Sequence, residues 1–513
     1  MSTPLGSHPM AATSVVLATP PASGAAPRRV RSLLAPLTMA MILAGCASAP
    51  TPLQPHAGVS VPEAFSAPAV QVGAQGWTVA PPAEAAPRGA WWLPFADPVL
   101  SGLVERADAA SPTVQRAAAQ VAQARALLRS ADAARSVQVG VNAGAMRQAG
   151  WTTTGGTTPA TVTSASLAAS YEVDLMGRLA GESDAARLDA QAQSALLQSA
   201  RLLVQADVVQ TYLQLRASQS GLALVEQGLE AYRESLRLTE RRLAAGDVAE
   251  LDLARLQAEV SATEAEALAL RRQQALLTHA LAALVGEPAT GFAVPAAPLA
   301  VTALPVIPAG VPSAVLARRP DVAAAQASVL AAQARVGVAQ AAWFPSLTLT
   351  GSAGHASPEL SDLFQWSARA WTVNALLSLP LWDGGRRQAQ VQGAEARLQA
   401  AVADQRAQVL QAFREVEDQL ASLQWLQGQA QAQLHAVMAA RKATRLSDVR
   451  YRNGLVSQLE LLDARRTELR NERQALQVRS AQFQGTVALI RALGGGWGAD
   501  ATGVAATPVA QLR

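Results

Sequence analysis

The residue types that could do covalent or metal chemistry are few and scattered along this 513-residue sequence. It has one cysteine, Cys46, so neither an intrachain disulfide nor a paired-cysteine metal site can form. The five histidines stand at positions 8, 56, 279, 355 and 435, none at metal-ligand spacing from another. The glycine-rich run 494–498 is typical of a helix stop rather than a phosphate-binding loop. We therefore expect no enzyme activity, no cofactor and no metal site.

Cys46 ends a segment with the features of a bacterial export signal. Arg28, Arg29 and Arg31 precede an apolar run, 33–44, that is too short to cross a bilayer as a helix. The sequence LAGC ending at Cys46 resembles the lipobox of bacterial lipoproteins, which implies that this cysteine is acylated and becomes the first mature residue. No aspartate follows it, which in such lipoproteins favours the outer membrane. A chance cysteine after an ordinary signal peptide is the alternative.

The composition favours long, closely packed helices over a conventional enzyme core. Half of the residues are hydrophobic, yet only 4% are aromatic and 16% are charged. The formal net charge is +4, and three of the positive charges belong to the candidate signal segment. The remaining charge is too small for a nucleic-acid-binding surface, so we expect no nucleic-acid partner.

The rest of the sequence runs twice through one pattern: helix, strand, strand, long helix, turn, helix. Three landmarks recur 208 positions apart, namely Pro112 with Pro320, Gly177 with Gly385, and Gly246 with Gly454. This spacing predicts an internal duplication. We expect a signal peptide at 1–45, an extended arm at 46–90, a first repeat at 91–288, a linker at 289–312, a second repeat at 313–493 and a flexible tail at 494–513.

Apolar residues recur every seven positions in both long helices, which is the pattern of a coiled coil. They stand at positions 208, 215, 222, 229, 236 and 243 in the first repeat and at 402, 409, 416 and 423 in the second. The helical signals, 178–243 and 386–452, predict rods of roughly 100 Å at 1.5 Å per residue. A compact helical bundle is the alternative, and it fits poorly with rods of this length.

Each repeat also contains two alternating segments with the length and period of outer-membrane strands. The last of these is expected to extend to Leu381, and no apolar run of 18 residues predicts a transmembrane helix. Four strands cannot close a barrel, whereas three copies of the chain would supply twelve. Aromatic residues near the strand ends could form an interfacial girdle or could be ordinary packing residues; they are Trp151, Tyr171, Trp343, Trp366, Trp371 and Trp382.

Several motifs, in order, resemble the TolC-like outer-membrane efflux factors, specifically the NodT and OprM lipoprotein branch. They are WWLPFADPVL, YEVDLMGR, RRPDVAAAQ, WFPSLTLTGSAG, LPLWDGGRR, FREVEDQL, RYRNGLVSQLELLDARR and RALGGGW. The resemblance implies an α+β membrane protein with an internal duplication. It implies a homotrimer whose twelve-stranded outer-membrane β-barrel, four strands per chain, continues into a long periplasmic α-helical coiled-coil barrel.

The same resemblance implies a passive exit duct that receives small molecules from a periplasmic membrane-fusion adaptor and an inner-membrane pump of the RND type. Lipid surrounds the barrel, so the helix turns lie at the periplasmic tip. The adaptor-contacting residues are then Gly246, Val248, Leu251, Gly454, Val456, Ser457 and Leu459. Ala249 stands where the second repeat has Ser457, a departure from the family pattern. All these residues could instead simply cap helices.

Charged residues just before Gly454 could close the tip. Asp448, Arg450, Tyr451 and Arg452 lie within about two helical turns of it, and three copies would form rings of charge. A solvated exterior face is the competing interpretation. Two other functions stay open: a type I duct that secretes protein, and a periplasmic scaffold lipoprotein without a channel.

Overall fold

The computed structural model describes residues 89–149, 159–299 and 319–495, together with 60–62, 65, 302, 304–305, 315 and 318. The predicted acylation site Cys46 and the aromatic residue Trp151 lie outside the described residues. The predicted signal peptide and the tail beyond residue 495 lie outside them as well.

Seven α-helices occur in the described ranges, and two of them are 67 residues long. Their bounds are α1 Pro98–Ala110, α2 Pro112–Ala134, α3 Arg178–Ala244, α4 Glu250–Leu284, α5 Pro320–Ala341, α6 Arg386–Arg452 and α7 Gln458–Ala492. The helices α2, α3 and α4 begin 208 positions before α5, α6 and α7. Proline occupies the first turn of α1, α2 and α5, where its missing N–H costs no helical hydrogen bond.

Four antiparallel strands form one sheet in sequence order. They are β1 Gln138–Gln148, β2 Ala160–Val173, β3 Ser346–Ser357 and β4 Arg369–Ser378. Within this sheet β1 pairs with β2 and β4 pairs with β3, so the two outer strands have a partner on one side only. The sheet is connected through α2, α3, α5 and α6 at one end and through the β1–β2 and β3–β4 loops at the other.

The seven-residue apolar pattern lies on the packed faces of the long helices. Val208, Leu215 and Leu229 are buried in α3, as are Val409 and Val416 in α6. The long helices have different surroundings. Helix α3 packs extensively against α1, α2, α4, α5 and α7, whereas α6 packs extensively only against α5 and α7.

The largest apolar cluster surrounds the middle of α3. Trp91, Trp92 and Phe95, from the WWLPF motif, pack here with residues near the end of α7. The rings of Phe95 and Phe483 lie 6.2 Å apart between centroids. The aromatic motif before α1 thus joins the first helix to the last.

Two expectations about element types need correction. The strand expected to reach Leu381 ends at Ser378, because Pro380 lacks a backbone N–H and β4 has no partner on its outer side. The expectation that no segment is apolar enough to cross a membrane is wrong for α5 on composition, since an 18-residue window has a mean hydropathy of 1.2. That helix nevertheless packs against α3 and α6.

The glycine run after α7 acts as a helix stop. Gly494 and Gly495 have φ angles of 89° and 74°, which are left-handed values that favour glycine. Their N–H groups donate to the carbonyl oxygens of Arg491 and Ile490 at 3.0 and 2.9 Å. These bonds satisfy the last carbonyls of α7.

Candidate functional site

The strand register divides the sheet into two faces of opposite polarity. In every pairing an even-numbered residue faces an even-numbered one, so even and odd residues occupy opposite faces throughout. One even row across all four strands is entirely polar: Gln138, Ser170, Thr350 and Asn374. The adjacent odd row is Val139, Ala169, Gly351 and Val373, which carries no polar side chain.

This division is the pattern of a strand with lipid on one side and water on the other. On the odd face, the charged side chains Arg147 and Arg369 lie near the loop end of the sheet, away from the helices. The even face carries three large apolar exceptions, Met146, Val162 and Leu376. The rest of that face is small or polar.

Five of the predicted girdle aromatics fall within the described residues, and they lie at both ends of the sheet. Tyr171, Trp343 and Trp382 are at the helix end, and Trp366 and Trp371 are at the loop end. Trp382 is the most exposed of them, at 90%. Trp343 has a packing partner, since the guanidinium carbon of Arg387 lies 4.7 Å from its ring centroid.

Carboxylates fix the junctions between strands and long helices. Asp174 accepts hydrogen bonds from Leu179 and Ala180 N–H groups in the first turn of α3, at 3.2 and 2.8 Å. Asp383 accepts from the N–H of Arg387 in α6 at 3.1 Å and from its Nε at 2.7 Å. The side-chain hydrogen bond from Arg387 holds the pKa of Asp383 below its usual value. Negative charge at these helix N-termini is favourable.

The opposite ends of the long helices reverse direction at matched glycines. Gly246 and Gly454 have φ angles of 79° and 70°. The next N–H in each turn donates back to the helix at 2.9 Å, from Asp247 to Arg242 and from Leu455 to Arg450. Both turns therefore have the hydrogen bonds of a glycine C-cap that ends the helix and redirects the chain.

The predicted contact residues lie on or beside these turns. Val248 and Val456 are half-buried, whereas Leu251 and Leu459 are exposed by 59% and 46%. Ser457 accepts a hydrogen bond from the N–H of Glu460 at 3.4 Å, so it also caps α7. Ala249 holds the same place before α4 and cannot make this bond.

Asp448 links α6 to α7 near the turn. Its carboxylate lies 2.7 Å from Arg452 and 3.3 Å from Arg465, and its side chain is 23% exposed. Arg465 also donates to the hydroxyl of Ser235 in α3 at 2.8 Å. The predicted residue Asp448 therefore belongs to a polar network that joins three helices.

Tyr451 links the two helical hairpins directly. Its hydroxyl accepts a hydrogen bond from Arg242 of α3 at 2.9 Å. Arg450 points elsewhere and forms a 3.6 Å pair with Glu460. The structure thus separates the predicted set by burial: Asp448 and Tyr451 are half-buried, whereas Arg450 and Arg452 are exposed, although the Arg450–Glu460 pair also spans α6 and α7.

Two residues of this network, Arg242 and Arg465, were not among the residues predicted from the sequence. Arg242 had a usable signal, since it stands 208 positions before Arg450 and in the last turn of its helix. Arg465 had no such signal in the sequence, because it is one of many arginines on a polar helix and nothing near it identifies its partner.

A second buried polar network lies near the middle of the long helices. Arg319 is 7% exposed and pairs with Asp321 at 2.6 Å and Glu415 at 2.7 Å. It also donates to the carbonyl of Ala492 at 3.0 Å. Burial opposes its charge, but the two carboxylates outweigh burial and raise the pKa of the guanidinium. The RRPDV and FREVEDQL motifs therefore meet at this arginine.

The corresponding position in α3 is less well compensated. Asp207 stands 208 positions before Glu415, and burial raises the pKa of its carboxyl, while the charge of Arg491 lowers it only in part. Among the described residues no group of three or more histidine, cysteine, aspartate or glutamate side chains could hold a metal ion.

The sequence profile of the outer membrane efflux protein family matches residues 103–287 and 311–495, which together span most of the chain. The chain belongs to this family. A protein of Pseudomonas putida, the pyoverdine export outer membrane protein OpmQ, is 34% identical over 472 residues, which cover 90% of this chain and 97% of that protein. The cation efflux system protein CusC of Escherichia coli is 30% identical over 466 residues, covering 90% of this chain and 99% of CusC.

A solved structure of the outer-membrane channel OprN matches the fold with a TM-score of 0.80 and 29% identity, covering 88% of this chain and 99% of OprN. This member of the family is therefore an outer-membrane component of an efflux system in a Gram-negative bacterium. The resemblance inferred from the sequence motifs is confirmed, as are the predicted efflux role and location.

Proposed function

We propose that three copies of this chain form one tube, with a twelve-stranded barrel in the outer membrane and a helical barrel in the periplasm. The observation that carries this proposal is the two-faced sheet with unpaired outer edges. An open edge in lipid would leave backbone N–H and C=O groups without partners. Closure by further copies removes both edges, with the odd face toward lipid and the even face toward the pore.

An internal duplication supports the same arrangement. The two family-profile matches start 208 positions apart, as do three pairs of helices. We infer two repeats, at 91–288 and 313–493, joined by the linker 289–312 and flanked by the arm 46–90 and the tail 494–513. Each copy would then supply two equivalent segments of the wall, so three copies supply six.

The tube acts as a passive duct, without enzyme activity or a cofactor of its own. Pyoverdine export and cation efflux, named for OpmQ and CusC, indicate small molecules or metal ions as the exported class. An inner-membrane pump of the RND type supplies the energy, and a periplasmic adaptor meets the tip. Leu251 and Leu459 are exposed apolar side chains there that an adaptor helix could cover.

Deletion of the gene, with the adaptor and pump left in place, tests the export function. We expect lower inhibitory concentrations for some antibiotics or metal ions and recovery with the plasmid-borne gene. The purified protein should also conduct ions in planar bilayers. Unchanged susceptibility across a broad panel, together with no conductance, would contradict the duct. Loss of one secreted protein with unchanged susceptibility would indicate type I secretion instead.

The lipid anchor at Cys46 is a separate proposal that rests on the LAGC sequence. A Cys46→Ser variant should lose incorporation of labelled palmitate, because the serine hydroxyl does not replace the thiol in the acylated lipobox. Since the barrel itself holds the protein in the membrane, the variant should still fractionate with outer membranes. Palmitate labelling that persists in the variant would exclude Cys46 as the site.

The resting tip is held shut by the ties around Asp448 and Tyr451. The Arg242–Tyr451 hydrogen bond joins α3 to α6, and Asp448 joins α6 to α7. Opening of the tip must therefore break these contacts or move the joined helices together. In three copies, Asp448, Arg450 and Arg452 would form rings of charge, and cross-links between these rings would add to the closed state. The gate therefore combines contacts within each chain with charge pairs between copies.

Single-channel conductance tests this gate. We expect Asp448→Asn, Arg450→Gln and Tyr451→Phe each to raise conductance or open probability. Arg445→Gln is the matched control, since it removes the same charge from an exposed position of α6. Conductance equal to that of the unmodified protein in all three variants and in a combined Asp448→Asn, Arg450→Gln variant would remove these residues from the gate.

A further inference from the structure

The two outer strands of the sheet are incomplete within one chain. In the described part of the chain β1 pairs only with β2, and β4 pairs only with β3. Large apolar side chains lie at both open edges. Val139 and Val141 of β1 are 63% and 78% exposed, and Leu381, just after β4, is 86% exposed. These edges need a partner whose side chains match theirs.

The numbering of the existing pairs shows a regularity that can be extended. In the first hairpin Gln138 faces Ser170, and in the second hairpin Ser346 faces Ser378. Both members of the pair have moved by 208 positions, so the two hairpins have one register. The same shift turns β1 into β3 and β2 into β4.

The contact between hairpins can be shifted in the same way. Leu167 of β2 faces Ala353 of β3 where the first hairpin meets the second. The equivalent of Leu167 in the second hairpin is Ala375, and the equivalent of Ala353 in the first is Ala145. The next such contact around a closed barrel joins β4 of one copy to β1 of another.

We infer that β4 pairs with β1 of a neighbouring copy in the register that places Ala375 opposite Ala145. This inference rests on the proposed oligomeric barrel and adds its seam. The same register sets Leu377 opposite Ala143, Leu379 opposite Val141 and Leu381 opposite Val139 of the neighbour. The exposed apolar residues at the two edges therefore cover one another.

Two properties of the sheet support this register over its neighbours. A shift by one residue would place odd residues opposite even ones and interrupt both the apolar and the polar face at every seam. A shift by two would preserve the faces but would differ from the contact already present between β2 and β3. The inferred register also sets Ser378 opposite Asn142, which continues the polar face.

The seam also gives a reason for the early end of β4. Residues 379–381 correspond to positions 171–173 of β2, which are paired with β3. In one chain the segment after Ser378 lacks a partner on its outer side and contains Pro380. We expect it to adopt strand geometry when β1 of the neighbour is present, with Pro380 leaving one hydrogen bond unmade.

Cysteine crosslinking in outer membranes tests the register. Directly opposed residues have Cα atoms about 4.5–5.5 Å apart, within disulfide range, whereas diagonal neighbours are about 7–8 Å apart. We expect Ala145→Cys with Ala375→Cys to convert most chains to a covalent trimer that reducing agent dissolves. Gly144→Cys with Leu376→Cys, a pair on the other face and of the other hydrogen-bonding type, should crosslink as well.

Three controls accompany these variants. Ala143→Cys with Ala375→Cys is out of register by two residues and should give no more product than the single-cysteine variants, which also report any reaction of Cys46. Leu167→Cys with Ala353→Cys forms the equivalent bond inside one chain and shows that the oxidant reaches the sheet.

The outcomes separate the register from the proposed function. Crosslinking that is stronger for Ala143 with Ala375 than for Ala145 with Ala375 would overturn the register and leave the oligomeric barrel standing. If the protein has the size of a trimer under native conditions but neither inferred cysteine pair crosslinks, the register would also be overturned. A native monomer that forms only the internal Leu167–Ala353 bond would overturn both.

Discussion

The two long helices have the same length and different surroundings. Helices α3 and α6 each contain 67 residues, yet α3 buries 19 side chains or glycines and α6 only nine. Helix α3 packs extensively against five other helices, and α6 against two. If the chain is the proposed duplication, α6 should also have equivalents of α5 and α7 beside it, and in the proposed trimer these are α2 and α4 of another copy. The contrast is what we expect if assembly covers this face of the chain.

The amino-acid sequence reflects this difference position by position. Ala206 and Val209 in α3 are completely buried, and their counterparts 208 positions later are Arg414 and Glu417. Arg414 is exposed and donates a hydrogen bond to Gln411, three positions earlier in the same helix, at 2.7 Å. At these two positions α3 therefore has apolar residues where α6 has charged ones.

The largest expected effect comes from exchanging residue types between the two helices. Ala206→Arg would place a charge and a long side chain in a filled core, which should cost more than about 4 kcal/mol. We expect it to abolish accumulation of a heat-resistant trimer in outer-membrane fractions, measured by gel mobility with and without boiling.

The matched exchange in α6 should be tolerated. Arg414→Ala removes a charge that is exposed within one chain and introduces the residue found at the equivalent position of α3, so it should change stability by about 0.5 kcal/mol or less, with a normal trimer yield. Equal tolerance of both substitutions would mean that the helices do not differ in burial, and the comparison between them would fail.

The second effect concerns Arg319, the buried arginine before α5 that pairs with Glu415 of α6. Arg319→Gln would leave Asp321 and Glu415 without their cation, and breaking a buried pair in this way costs about 3–5 kcal/mol. We expect a large fall in the temperature at which the trimer dissociates. Arg319→Lys should recover little of it, because one ammonium cannot replace the forked contacts.

A suitable control is Arg335→Gln, which breaks the exposed pair with Asp189 of α3. Exposed pairs contribute about 0–1 kcal/mol, so this variant should behave almost normally. A dissociation temperature that falls equally in both variants would show that burial does not distinguish the two arginines.

Much of the fold follows from local signals in the sequence. Pro112, Pro320, Gly246 and Gly454 act through their own backbone geometry, so the breaks they predict fall where they stand. The heptad positions likewise predict which side of each long helix is packed.

The parts that sequence reasoning missed depend on residues far apart in the chain. Tyr451 accepts a hydrogen bond from Arg242, which lies 209 positions earlier, and no local sequence pattern identifies that partner. In the proposed barrel, the end of β4 would depend on the neighbouring copy, and that dependence is a property of the assembly. The unequal burial of the two long helices could have been predicted from Ala206 and Arg414, since the proposed repeat aligns these positions.

A smaller effect should appear at the helix turns, where the two proposed repeats have different caps. Ser457→Ala removes the hydrogen bond to Glu460, and Ala249→Ser supplies the missing cap to α4. N-cap exchanges of this kind change stability by about 0.5–2 kcal/mol, and the 3.4 Å bond length favours the lower end.

We expect opposite shifts in local hydrogen exchange, faster at the start of α7 in Ser457→Ala and slower at the start of α4 in Ala249→Ser. If drug export falls in Ser457→Ala while exchange is unchanged, Ser457 acts in adaptor contact rather than as a cap.

The smallest effect concerns Asp207 and Glu415, the two carboxylates at equivalent positions of α3 and α6. Burial raises the pKa of Asp207, so the unfolded chain loses this proton at a lower pH than the folded chain does. The folded state is therefore destabilised as the pH rises through that range. Asp207→Asn should stabilise the folded state at pH 7 by less than about 1 kcal/mol, and so raise the dissociation temperature, with a smaller gain at pH 4. Glu415→Gln should lower it at pH 7, because Glu415 is paired with Arg319 at 2.7 Å. Dissociation temperatures that shift in the same direction in both variants would mean that pairing with Arg319 does not distinguish Glu415 from Asp207.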